Sequence, residues 1–137
     1  MARALDPGLS TWPQRDPQLI GSECSACGAV TFPRQSQCPR CSRAEMSDLL
    51  LLRHGTVVAW TTQGFAPGSP YVGRTGADFV PFGVGLIQLG DVIRVEGRLT
   101  ENMPEKLEFG MQVELTMIPF ATDENGEEII TFAFRRI

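Results

Sequence analysis

Four cysteines carry the chemistry most readily read from this chain. They stand as Cys24-Ser25-Ala26-Cys27 and Cys38-Pro39-Arg40-Cys41, with ten residues between the pairs. A two-residue gap puts both sulfurs of a pair on one tight turn. Two such turns facing each other close a tetrahedron around a soft divalent cation. Gly28 suits the first turn, because a residue without Cβ reaches positive φ freely, whereas Ser42 fills the matching place in the second less well. The expected ligands are Cys24, Cys27, Cys38 and Cys41, and all the thiols of the chain are used in this way. The expected ion is a structural Zn²⁺, with rubredoxin-type iron as the alternative that four thiolates also hold. Four sulfur ligands leave no open coordination position, so the metal is expected to hold structure and not to activate water. Two disulfides are the competing use of these cysteines and would suit a secreted chain. Residues 1–20 carry Pro7, Pro13, Pro17 and polar residues in place of a charged stretch followed by an apolar one. A cytoplasmic, reducing location is therefore expected, and metal is favoured over disulfide.

Beyond the cysteines, no catalytic set can be assembled. Covalent attack needs an activated nucleophile beside a base, and the chain offers one histidine, His54, and one tyrosine, Tyr71. Glu127-Glu128 reads as a solvated turn and not as a pair of working carboxylates. The formal net charge of −4 and the pI near 5.0 argue against nucleic-acid binding, which rests on dense positive charge. Eleven of the 12 basic residues are arginine, Lys106 being the exception, and arginine suits phosphate and carboxylate recognition. A module binding single-stranded nucleic acid is the competing class, since zinc ribbons and small β-barrels both do this. It would need a basic groove studded with aromatics. No run approaches the length of a membrane span, and no membrane association is expected.

The elements that must position these residues are mostly strands. At 137 residues the chain is one ordinary domain or two small modules. The metal module is too small to bury much apolar surface and must rely on its ion. From Gly55 onward the pattern is that of β structure. Thr56–Thr62 is β-branched and aromatic, Gly83–Leu89 and Val92–Leu99 follow around a Gly90-Asp91 turn, Met111–Ile118 alternates, and Ile129–Phe134 comes after Asn125-Gly126. Val57, Ala59, Leu86, Val95, Val113, Leu115 and Phe132 are the expected core. Five strands on short connections predict a small closed barrel, and Pro104 and Gly110 exclude a long helix between the third and fourth.

Two regions do not read as plain scaffold. The N-terminal arm holds Trp12, Leu19 and Ile20 among prolines; it would lie on a partner, on the metal module or on its own domain. The stretch from Gln63 to Phe82 is rich in Gly and Pro, and a connection of that length in a compact domain usually has a function. Its Phe65, Tyr71 and Phe79 offer apolar contacts.

Taken in order, these residues resemble a known family. An arm ending Leu19-Ile20-Gly21-Ser22-Glu23 leads into Cys24-x-x-Cys27-Gly28. Phe32-Pro33, Cys38-Pro39-x-Cys41 and Gly55-Thr56-Val57 follow, then Pro81 through Leu89, Phe109-Gly110-Met111-x-Val113-Glu114 and a closing Phe132-Ala133-Phe134. The chain is similar over nearly its whole length to the bacterial acyl-CoA-associated family that joins a rubredoxin-like zinc ribbon to an OB-fold. That resemblance implies a mainly β chain with an N-terminal arm at 1–19, a rubredoxin-like zinc ribbon at 20–47 and a five-stranded OB-fold barrel at 48–137. It also implies an accessory subunit that forms a heteromer with a thiolase-like protein, either a thiolase or a retro-aldolase. Such a subunit helps bind the CoA thioester, while the partner supplies the catalytic residues; on that reading Phe65, Tyr71, Phe79, Arg34, Arg40 and Arg74, with Arg98, are the candidate partner or CoA contacts.

Overall fold

The computed structural model describes residues 2–63 and 81–137. The expected contacts Phe65, Tyr71, Arg74 and Phe79 lie outside the described residues. Among those described, strands dominate. β1 (Ala2–Ala4), β2 (Ile20–Cys24), β3 (Val30–Thr31) and β4 (Met46–Leu50) precede β5 (His54–Gln63), β6 (Phe82–Leu89), β7 (Ile93–Leu99), β8 (Gln112–Thr122) and β9 (Glu128–Arg136). Between β7 and β8, where Pro104 and Gly110 argued against a long helix, only the single 3₁₀ turn Pro104–Lys106 forms.

Strands β5 to β9 close on themselves. β5, β6 and β7 form an antiparallel meander, and β8 pairs with both β5 and β9. A parallel contact between β7 and β9 at Leu99↔Phe134 completes the circuit, with the Thr100 N–H donating to the Phe134 carbonyl at 3.0 Å. Closure of this kind removes free sheet edges. The interior holds Val57, Ile87, Leu89, Val95, Leu99, Val113, Leu115 and Phe134, all buried.

Alternation explains most of this core, but three of the expected positions lie outside it. In β6 the inward set is Gly83, Gly85, Ile87 and Leu89, so Leu86 lies on the outer face and is only half-buried. Ala59 is exposed because β5 slips register: Val57 stands opposite Ile87, but Ala59 stands opposite Leu86. The extra residue, Val58, is a β-bulge that reverses the pattern and turns Trp60 inward opposite Gly85. Phe132 is half-buried and packs against the core from its margin. Gly97 lies where a Cβ would come within 2.8 Å of the Phe134 ring, so a glycine is what lets that ring fill the centre.

The metal module is built on a second sheet, ordered β3-β2-β4. It is rooted in the barrel and not tethered loosely, since Leu19 and Leu51 at its base belong to the same buried cluster as Val57 and Ile87. Arg53 ties the junction: its Nε donates to the Pro17 carbonyl at 3.0 Å and an Nη to the Leu115 carbonyl at 2.9 Å. The N-terminus packs on its own chain. β1 runs parallel to the start of β9, and Arg3 pairs with Asp123 at 3.5 Å and Glu127 at 3.3 Å. No helix of the described residues is long and apolar enough to cross a membrane.

Candidate functional site

The two cysteine turns have the same internal design. In the first, the Cys24 N–H donates to the Ala29 carbonyl at 2.9 Å and the Gly28 N–H returns to the Cys24 carbonyl at 2.8 Å. In the second, the Cys38 N–H donates to the Arg43 carbonyl and the Ser42 N–H to the Cys38 carbonyl, both at 2.9 Å. The repeat requires the residue after each second cysteine to turn left-handed. Gly28 does so at φ 79° and Ser42 at φ 66°, the conformation that costs a side-chain-bearing residue most. The β2–β4 pairing Cys24↔Met46 fixes one edge of the first turn, so the sheet itself aims that turn at the second.

This places the four sulfurs together. Cys24 Sγ lies 3.6 Å from Cys41 Sγ and Cys27 Sγ lies 3.5 Å from Cys38 Sγ, and all four fall within 4.8 Å of one another. None is disulfide-bonded. A Zn–S bond of about 2.3 Å in a tetrahedron requires sulfurs about 3.8 Å apart, so the cluster fits a four-coordinate thiophilic ion and needs only a small adjustment to hold one. Backbone N–H groups already point at the sulfurs: those of Arg40 and Cys41 each reach Cys38 Sγ at 3.4 Å.

The same hydrogen bonds set the acidities. The Ala29 N–H beside Cys27, aided by Arg40, holds that thiol down to about 6 against the opposing effect of burial. Cys38 is lowered chiefly by the Cys41 N–H, with the Arg40 N–H acting in the same direction. At Cys41 the Arg43 N–H also lowers the thiol, but burial and the neighbouring sulfurs outweigh it and push the value up to about 11. Cys27 is thus poised near neutral pH as the thiolate that a metal binds.

The remaining candidates are scattered. Arg34 pairs with Asp48 at 3.0 Å on the ribbon surface, and the Arg40 guanidinium donates to the Cys27 carbonyl. Arg98 lies over the Phe82 ring at 4.1 Å from its centroid, on the barrel. His54, on β5, faces Glu114 at 3.3 Å, and Arg135 Nε donates to the same carboxylate at 2.7 Å. The histidine is therefore part of a surface ion network and stands apart from the sulfurs.

Sequence reasoning missed the outer barrel face. Ala59, Thr61, Val84, Leu86 and Glu96 border an open concavity of about 310 Å³. A neighbouring one of about 290 Å³ shares Val84 and Glu96 and is bordered by Phe82, Arg98, Phe120 and Phe132. The run Val84-Gly85-Leu86-Ile87 held the signal: apolar residues on both parities mark a strand whose outer face is also apolar. The Trp60 and Phe109 rings lie 6.2 Å apart, tilted by 37°, and Phe109 is 72% exposed.

A metal-fitting ribbon of four cysteines rooted in a closed five-stranded barrel defines the class as a zinc-ribbon–OB-fold protein. Residues 12–47 match the family described as the ChsH2 rubredoxin-like zinc ribbon domain, and residues 51–117 match the ChsH2 C-terminal OB-fold domain. The chain is 30% identical over 121 residues to a DUF35 domain-containing scaffold protein of Methanocaldococcus jannaschii, covering 85% of this chain and 79% of that one. It is 29% identical over 123 residues to the benzoylsuccinyl-CoA thiolase subunit BbsA of Thauera aromatica, covering 90% and 79%. A solved structure titled Ltp2-ChsH2(DUF35) aldolase superposes with a TM-score of 0.60 at 24% identity, covering 87% of this chain and 84% of that one, and so shares the fold. The chain belongs to the DUF35 family of ChsH2-type proteins, in which a rubredoxin-like zinc ribbon is joined to an OB-fold.

Proposed function

We propose that this chain is a non-catalytic accessory subunit of a thiolase-like enzyme, either a thiolase or a retro-aldolase acting on acyl-CoA thioesters. The observation that carries this reading is the fate of its reactive groups. All four thiols converge on one closed metal-fitting cluster, and the single histidine sits in an ion network with Glu114 and Arg135. Among the described residues no nucleophile stands beside a base, as covalent thioester chemistry would need. Relatives named as scaffold proteins and as a thiolase subunit support the same role.

In this account a structural Zn²⁺ on Cys24, Cys27, Cys38 and Cys41 holds the ribbon, and iron is the alternative. The partner brings the catalytic residues. The ribbon and the 63–82 segment, with Phe65, Tyr71, Phe79 and Arg74, dock on that partner. Arginines such as Arg34 and the apolar outer face of β5–β7 help to bind the CoA thioester. Steroid side-chain and aromatic acyl-CoA esters are the substrate classes proposed. A nucleic-acid role finds less support: among the described residues, those bordering the two concavities include Glu96 beside one arginine, Arg98. The test is an acyl-CoA turnover assay on this chain alone, on the thiolase-like protein alone and on the mixture. The reading requires no turnover by this chain and a lower KM for the mixture than for the partner alone.

A further inference from the structure

Arg40 occupies a position that its surface exposure alone does not explain. It lies within the second cysteine turn, and its main-chain N–H donates to Cys38 Sγ at 3.4 Å. Its guanidinium reaches back 13 residues to the carbonyl of Cys27, in the opposite turn. One residue therefore touches both halves of the cluster, and it brings a full positive charge to the edge of the sulfurs. The other two arginines of the ribbon are engaged by carboxylates, Arg34 by Asp48 at 3.0 Å and Arg43 by Glu45 at 3.9 Å. Among the described residues no carboxylate pairs with Arg40.

Charge counting shows why this matters. Four thiolates around a divalent ion leave the centre with two net negative charges, close to the protein surface. Hydrogen bonds from N–H groups and a nearby cation offset that charge and withdraw density from the sulfurs, so the loaded centre is held more firmly. Groups that orient and polarise metal ligands in this way commonly govern affinity by about one to two orders of magnitude. We propose that Arg40 is an outer-sphere positioning residue of the metal centre: it offsets the negative charge of the tetrathiolate, locks the two cysteine turns together and so sets how long the ion is retained. This rests on the metal-site reading above.

The experiment uses the full chain, loaded with Zn²⁺ for release and with Co²⁺ for spectroscopy. Zinc transfer to a chromophoric chelator is followed for wild type, Arg40→Gln, Arg40→Lys and the control Arg43→Gln, which removes the same charge from a carboxylate-paired position. Arg40→Gln should release zinc about tenfold faster than wild type. Its sulfur-to-cobalt charge-transfer band should move to lower energy, as sulfurs relieved of a cation donate more readily. Arg40→Lys should restore much of both effects, and Arg43→Gln should match wild type. Equal release from wild type and Arg40→Gln would overturn the proposal, as would an equal effect of Arg43→Gln. Faster release with an unmoved band would leave Arg40 a mechanical brace and overturn the charge assignment. A wild-type chain that binds neither ion would instead refute the metal reading itself.

Discussion

Ile87 and Leu86 are chemically near-equivalent neighbours on opposite faces of β6, so truncating each to alanine tests the barrel's register directly. Ile87 is 0% exposed and belongs to the central cluster, whereas Leu86 borders an open concavity. Each change removes three carbons. At about 0.8 kcal/mol per buried methylene group, the transfer loss at Ile87 is about 2.4 kcal/mol. The cavity left in a closed barrel adds to it, giving roughly 3–4 kcal/mol for Ile87→Ala. At Leu86 about half of the transfer loss applies and no cavity forms, giving about 1 kcal/mol. Urea denaturation followed by tryptophan emission, with Trp60 packed against the core as the reporter, gives both values. The variants should differ by about 2 kcal/mol, with unchanged m-values. A Leu86→Ala variant as destabilised as Ile87→Ala would place Leu86 inside and refute the register, because a one-residue slip exchanges the two faces.

Other perturbations probe the remaining links. Cys27→Ser should abolish metal binding and melt the β2–β4 sheet while the barrel persists; elemental analysis together with amide hydrogen exchange resolves the two modules. Gly97→Ala should cost about 1–3 kcal/mol by driving a Cβ against the fully buried Phe134 ring, and thermal melts will read it. Arg135, burial notwithstanding, holds the Glu114 carboxyl below its ordinary value of 4.5, with His54 and Arg53 adding to the effect. A carboxylate depressed in the folded state stabilises above its unfolded pKa and loses that contribution as pH falls through the folded value. Stability should therefore decline on acidification below about 4.5, and Glu114→Gln should flatten that decline in denaturation midpoints measured across the range.

The convergence of the four cysteines was the most legible part of the molecule, because two Cys-x-x-Cys turns encode their own geometry and need little tertiary help. Gly28 announced the positive φ that the structure shows, and Ser42, the less suited residue, adopts it as well. The strands of the barrel were legible from β-branched runs and turn residues. Which face each strand buries was not, wherever the pattern was broken. Val58 is an ordinary strand residue, and nothing local marks it as a bulge; only its pairing with β6 does, and that pairing moved Ala59 to the surface. Leu86 misled for a different reason, since β6 is apolar on both parities and glycines fill its inner one. Arg40 and Arg53 act through carbonyls distant in sequence, a long-range relation that no motif records.

The central claim is that this chain works as a metal-stapled scaffold bound to a catalytic partner. Co-expression with a thiolase-like protein of the same organism, followed by sedimentation analysis of the purified material, tests this most directly. The account predicts a stable heteromer with an interface of at least about 1,000 Å², containing one metal ion per copy of this chain and dissociating when residues 64–80 are deleted. Separate sedimentation of the two proteins at micromolar concentration, with acyl-CoA turnover by this chain alone, would contradict it.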